Sequence, residues 1–249
     1  MTSTAYPFGE IDTRILTYLL GAGFVPKVIY DIGASNGSWT WTVAKVLKDA
    51  TFHLFEPQFE SDPSYAETIA NVKRYTANVT LHPIALGAKN GKGKLNLFST
   101  SAAASMLDPT PVGRLKQFMQ GTLGRSSRTV PVHRLDDYAR ARKLAPPDLI
   151  KMDVQGFELE ILKGAEGILG GAKVIMTECW LKKSYGPMTP LFSDIIAYLE
   201  PKGFVLIDVG DIFYDSRHEM VAVDAVFMAA GLATTMFPNG AGAGGTWRQ

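Results

Sequence analysis

An α/β fold with a mostly parallel sheet and helices on both faces is the class this sequence predicts, and three observations carry it. Short apolar runs alternate with stretches of helical periodicity along most of the 249 residues. The run Val28-Ile29-Tyr30-Asp31-Ile32 breaks into the turn Gly33-Ala34-Ser35-Asn36-Gly37, after which Ser38 to Leu47 reads as a helix. The last two apolar runs, Phe204 to Val209 and Ala222 to Ala229, are joined by Gly210 to Val221 with no helical pattern. That connection is too short for a parallel crossover, so the two runs should pair antiparallel. The expected sheet has seven strands, all parallel but one.

In chain order, a helix is expected over 10–20, a strand over 28–32, a helix over 38–48, a strand over 52–56 and a helix over 62–71. Val72 to Tyr75 and Val79 to Ala85 read as extended pieces, and Leu95 to Ser99 as a short strand after an Asn90-Gly91 turn. Strands follow at 148–154 and 173–178, with helices at 158–169 and 190–200. Residues 1–237 are expected to form one domain, and the glycine-rich 238–249 a loose tail.

Composition narrows the partners. A formal charge of +1, from 25 basic and 24 acidic residues, gives no global field to recruit nucleic acid, and none is expected. The single cysteine, Cys179, excludes an internal disulfide and sits in an apolar segment, where it reads as a buried inert thiol. No basic-then-apolar leader and no run of about 18 apolar residues is present, so a cytoplasmic protein without a membrane span is expected. Oligomeric state is not written in the pattern.

The glycine turn between a strand and a helix is the mouth of a nucleotide site. A dinucleotide fingerprint places glycines at three positions, of which the second and third are here Ser35 and Ser38. Asp31 at the strand tip would repel a pyrophosphate and attract the ammonium group of an amino-acid moiety. S-adenosyl-L-methionine carries that ammonium and no phosphate. Glu56 ends the second strand about 20 positions beyond Gly37, where a carboxylate accepts hydrogen bonds from ribose hydroxyls. Asp31, Gly33, Ala34, Ser35, Gly37, Glu56 and Pro57 are therefore the expected cofactor contacts. NAD stays open as the alternative ligand of the same residues.

The second chemically loaded segment is Asp148-Leu149-Ile150-Lys151-Met152-Asp153-Val154-Gln155-Gly156-Phe157-Glu158. Alternation sets Lys151 and Asp153 on one face of a strand whose neighbours cover it, where charged groups need a partner or a task. Asp153, at the strand's C-terminal end, is expected in the ligand crevice beside the cofactor, positioning or deprotonating an acceptor. Lys151 is a second catalytic candidate or half of a buried ion pair. His133, in the extended Val130 to Leu135 run, is the third candidate. Glu178 ends the next strand and should reach the same crevice. Asp153 and Glu178 offer two hard oxygen ligands, too few for a metal site, so no metal is expected.

Residues 99–129 form a long connection of the kind that serves as a substrate lid, with a short helix expected at 112–120. Arg114, Lys116, Arg125 and Arg128 face only Asp108 in that stretch, which fits either an anionic acceptor or a solvated basic surface.

Asp31 to Gly37, Phe55-Glu56-Pro57, Ala85-Leu86-Gly87, Arg134-Leu135-Asp136-Asp137-Tyr138 and, above all, Ile150 to Glu158 followed by Leu162-Lys163-Gly164-Ala165 resemble the FkbM family of methyltransferases over about 28–180. The resemblance implies a Rossmann-like class I methyltransferase fold and S-adenosyl-L-methionine as cofactor. It also implies a hydroxyl of a sugar, glycan or polyketide-type small molecule as methyl acceptor. One departure stands out: Gln155 occupies a position where that family usually carries glutamate, which implies a different substrate or lower activity if the carboxylate orients the acceptor. Gln155 is accordingly expected near the substrate. Two alternatives share the cofactor residues, a catalytically idle adenosine-binding protein and an NAD-dependent oxidoreductase. DNA methylation is disfavoured, because no Asn/Asp-Pro-Pro-aromatic tetrad is present.

Overall fold

The computed structural model describes residues 11–59, 64–97, 104–107, 126–215 and 217–237. Most of the 99–129 connection, including Arg114, Arg125 and the 112–120 helix, and the 238–249 tail lie outside the described residues.

The described strands are β1 (Val28–Ile32), β2 (Thr51–Phe55), β3 (Val79–His82), β4 (Ala85–Leu86), β5 (Gly91–Leu97), β6 (Ser126–His133), β7 (Leu149–Met152), β8 (Val174–Trp180), β9 (Phe204–Tyr214) and β10 (Met220–Ala229). Seven of them form one sheet in the order β3-β2-β1-β7-β8-β10-β9. Neighbours from β3 through β8 run parallel, and β10 is antiparallel to both β8 and β9. This is the Rossmann-like arrangement expected from the sequence, with one reversed strand.

Side-chain alternation gives this sheet two apolar faces. Ile29, Phe52, Leu54 and Leu149 pack on one side with Leu16 and Leu19 of the helix Ile11–Gly21, Val43 of Ser38–Ala44 and Val72 of Ser64–Tyr75. Tyr30, Ile32, Ile150 and Met152 pack on the other with Leu135 and Tyr138 of Leu135–Arg142, Leu162 of Glu158–Gly164 and Leu199 of Phe192–Leu199. Burial of both faces explains why the central strands read as nearly unbroken apolar runs. The strand order reverses at β1, with β2 on one side and β7 on the other, so the loops after β1 and β7 diverge and open a crevice at the sheet's C-terminal edge.

Several boundaries differ from the sequence expectation. Val72 to Tyr75 is helical, because Tyr65, Ile69 and Val72 form a buried stripe at helical spacing. The helix after the glycine turn ends at Ala44, and the 158–169 helix divides at Ala165. Strand β5 starts at Gly91, directly after a bend at Ala88 to Asn90 that reverses the chain from β4, rather than at Leu95. The Asn90 amide donates to Asp137 and accepts from the Arg134 N–H. The run to Leu135 is not extended throughout: Leu135 opens a helix. Strands β9 and β10 continue to Tyr214 and from Met220, joined by a turn in which Asp215 Oδ1 accepts from the N–H groups of Arg217 and Glu219. A C-terminal helix, Ala230–Met236, follows β10 without having been anticipated.

Also unanticipated is a second sheet, β4-β6-β5, with β6 parallel to β4 and antiparallel to β5. It stands beside the crevice and carries residues 104–107, which bridge back to β5 through Asn96 and Ser105. Among the described residues, no helix is long and apolar enough to cross a membrane.

Candidate active site

The turn after β1 is shaped by close packing. Gly33 has φ +72°, and its N–H donates to the Phe55 carbonyl at 2.9 Å. A Cβ there would overlap the carbonyl oxygen of Asp153. Glycine therefore lets the ends of β1 and β7 meet, and the Asp153 N–H completes the junction by donating to the Ile32 carbonyl at 3.0 Å. Gly37, at φ +79°, turns the chain into the following helix without lining the crevice.

The crevice holds a cavity of about 790 Å³, within the range of a small-molecule site. Its wall includes Gly33, Ala34 and Ser35 after β1, Glu56 and Pro57 after β2, and Lys151 and Asp153 at β7. The partly buried Trp39 and Trp41 line it while also packing against the core, so they do more than support the helix.

Glu56 is buried, and its carboxylate accepts from the N–H of Ser35 at 3.2 Å and of Gln58 at 3.0 Å. These donors offset burial only in part, and its pKa is pushed up to about 7. A buried carboxylate on the cavity wall fits a ligand that brings hydroxyl groups, as the ribose of S-adenosylmethionine does. The turn that carries Glu56 is tethered from the second sheet, since Arg128 of β6 donates to the Pro57 carbonyl. Arg128 is thus engaged by the cofactor turn and does not line the crevice, so its expected role in holding an acceptor is corrected.

Asp31 is also corrected. It is fully buried beneath the wall, accepting from Thr40 Oγ1 at 2.6 Å, with Lys151 Nζ 3.6 Å from its other oxygen. The register sets Asp31 of β1 beside Lys151 of β7, so the ammonium it meets in this structure is that of Lys151, and Asp31 does not line the cavity. The charge that reaches the cavity wall is Lys151.

Asp153 follows β7 with its side chain 44% exposed, 3.7 Å from Lys151 Nζ. It lines both the first cavity and a second of about 340 Å³, whose walls also include Glu178, Asp211 and Asp224. Gln155 bridges the two acids: Nε2 donates to Asp153 Oδ1 at 2.8 Å and to Glu178 Oε2 at 3.2 Å. The Tyr185 hydroxyl donates to Gln155 Oε1 at 2.7 Å. Among the described residues, no three His, Cys, Asp or Glu side chains form a metal site.

His133 is not brought to either cavity. It ends β6 with its ring packed 5.3 Å from that of Tyr138, which withdraws it from the catalytic set. His53 and His82 are buried side by side, Nδ1 to Nε2 at 3.1 Å, with His82 also 3.1 Å from the Tyr138 hydroxyl. Burial holds both rings neutral and pushes His82 down to about 4. Cys179 is buried, and burial raises its thiol well above the usual range. Sequence reasoning missed Tyr185 and Ser105, neither of which stands in a motif.

The methyltransferase FkbM domain matches residues 31–206 of this chain. The chain belongs to that family. FkbM-family membership makes methyl transfer its class of chemistry and sets aside the oxidoreductase alternative.

Two relatives are similar at low identity. One is the 2-O-methyltransferase NoeI of Sinorhizobium fredii, 27% identical over 66% of this chain and 68% of the relative. The other is the hexuronic acid methyltransferase AglP of Haloferax volcanii, 24% identical over 75% of this chain and 69% of the relative. Among solved structures, methyltransferase FkbM from Methylobacillus flagellatus KT is 20% identical with a TM-score of 0.46. The match covers 80% of this chain and 43% of that one.

Proposed function

We propose that this FkbM-family protein is an S-adenosylmethionine-dependent O-methyltransferase whose acceptor is a sugar hydroxyl. The observation that carries the reading is that Asp153, together with Lys151, belongs to the walls of both cavities at the C-terminal edge of the sheet. The larger cavity takes the cofactor and the smaller one the acceptor, so the group between them is where the reacting oxygen meets the methyl donor.

In this reading Glu56 accepts the ribose hydroxyls, and the backbone of Gly33 to Ser35 and Pro57 shapes the adenosine end. When bound, S-adenosylmethionine supplies a methyl group already activated on a sulfonium. The chain's own work is alignment, exclusion of water and removal of the hydroxyl proton. Asp153 takes that proton, and Lys151 stabilises the charge of the Asp153 carboxylate from 3.7 Å. The acids of the smaller cavity, Glu178, Asp211 and Asp224, accept hydrogen bonds from the other hydroxyls of a polyhydroxylated ring. The names of the two relatives support oxygen methylation and a sugar acid respectively.

The test begins with calorimetric titration of S-adenosylmethionine, S-adenosylhomocysteine and NAD into wild type and Glu56→Ala. Micromolar binding of the first two, weakened in the variant, is the expected result. A mass-spectrometric search for methyl gain on neutral and uronic oligosaccharides follows. Binding of NAD alone, or methyl gain only on non-hydroxyl acceptors, overturns the proposal.

A further inference from the structure

Gln155 adopts φ +55°, the left-handed region in which a side chain is disfavoured. Such a conformation is strained and persists only where its surroundings over-determine it. Here they do. Its carbonyl accepts from Ser105 Oγ at 2.8 Å, and its side-chain amide bonds Asp153, Glu178 and Tyr185 at once. The partners come from four places: the segment crossing from the second sheet, the end of β7, strand β8, and the loop that follows β8.

The amide has one workable orientation. Turned over, its oxygen would face two carboxylates with no proton between them. The two carboxylates therefore select the orientation that sends both N–H bonds to the acids, and the Tyr185 hydroxyl anchors it by donating to Oε1.

We infer that Gln155 is a positioning residue for methyl transfer. Its amide, anchored by Tyr185, holds the Asp153 carboxylate at the junction of the two cavities while giving Glu178 a donor, so that neither acid needs a proton to keep its place. The role in transfer rests on the function proposed above.

The charged groups around this trio come from every neighbouring element. Lys151 on β7 lies 3.7 Å from Asp153, with Asp31 of β1 behind it. Asp224 on β10 is the register partner of Glu178, Asp211 on β9 lines the same cavity, and Glu158 acts on Asp153 through its charge. Among these described residues, only Lys151 is a cation. A glutamate at 155 would set a third carboxyl between the two acids, and one of the three would have to take up a proton.

Wild type, Gln155→Glu and Tyr185→Phe are compared in three measurements: carboxyl-carbon NMR titration, calorimetry with S-adenosylhomocysteine, and steady-state methyl transfer to a panel of uronic and neutral oligosaccharides. Gln155→Glu is expected to keep the affinity for S-adenosylhomocysteine and to bind one additional proton near neutral pH. It should lose kcat by about tenfold or more, with a displaced pH–rate profile. Tyr185→Phe, which removes the anchor on Oε1, should lose kcat to a smaller extent without binding that proton.

A Gln155→Glu variant that binds no additional proton, or keeps wild-type kcat and pH profile, overturns the inference. So does a kcat loss that appears only together with lost S-adenosylhomocysteine binding, the mark of a merely structural role. Wild type that methylates none of the panel fails the proposed function instead, and the titration still decides whether Gln155 governs the two acids.

Discussion

The ammonium of Lys151 lies 3.6 Å from the buried carboxylate of Asp31, the two residues being register partners on β7 and β1. Burial pushes the Asp31 carboxyl up from its ordinary range, and the Lys151 charge and the Thr40 hydrogen bond pull against it. Removing one member of such a pair strands the other. Lys151→Met is expected to cost about 3 kcal/mol or more in urea unfolding, and Asp31→Asn in the same background to recover most of that loss. A double-variant loss equal to the sum of the Lys151→Met and Asp31→Asn losses would show that the two charges do not depend on each other.

Cofactor affinity should follow the protonation of Glu56. Its pKa of about 7 means that the acid is partly protonated at neutral pH, and a protonated carboxyl has lost acceptor capacity for ribose hydroxyls. Affinity for S-adenosylmethionine is expected to fall roughly tenfold from about pH 8 to about pH 6, as the competent fraction shrinks. The ligand's own amino group titrates equally against Glu56→Gln, so calorimetry on that variant isolates the contribution. A pH dependence unchanged in Glu56→Gln removes Glu56 from the site.

Glu158 makes a second prediction, on stability. Its carboxyl is fully buried, with Oε1 accepting from the Gly156 N–H at 3.0 Å and Oε2 without a hydrogen-bond partner. Burial raises its pKa from 4.5 to about 7. With the folded value above the unfolded one, the folded state binds the extra proton. The stability contributed by the neutral acid is full below the unfolded pKa and is lost as pH rises through the folded one. Denaturant midpoints should therefore show Glu158→Gln gaining on wild type between about pH 4.5 and pH 8, by up to about 3 kcal/mol. A constant difference across that window contradicts the assignment.

Two glycines should respond in opposite ways to alanine. Gly33→Ala brings a Cβ onto the Asp153 carbonyl at a positive φ, so a loss of several kcal/mol is expected, and with it the junction of β1 and β7. Gly231→Ala, in the helix Ala230–Met236 with open space around its Cα, should be neutral or stabilising by up to about 1 kcal/mol. Thermal melts of both decide it.

Much of the wall of the first cavity was legible because its information is local. Gly33, Ala34, Ser35, Glu56 and Pro57 lie on strand ends that apolar runs and glycines announce, and all five reach the cavity wall. The wall of the second cavity was less so. Asp153 could be read from its place at a strand end, but the bond from Tyr185 to Gln155 joins positions 30 residues apart with no periodicity between them. Arg128 reads as a free basic residue in the sequence, yet it reaches the Pro57 carbonyl 71 positions away.

What the sequence by itself determined is whatever depends on neighbours along the chain: the alternation of strand and helix, the turn at Gly33, and the reversal of β10 forced by a connection too short for a crossover. Only the tertiary structure decided which face each charged group meets. Asp31 and Lys151 read alike as polar interruptions of buried strands, and register alone turns the first into the second's hidden partner while leaving Lys151 on the cavity wall. The pairing of β5 with β6 likewise joins segments separated by residues 98–125, a contact that propensity cannot encode. Local preference acts over a few residues, whereas a site is assembled from strand ends that meet only when the sheet forms.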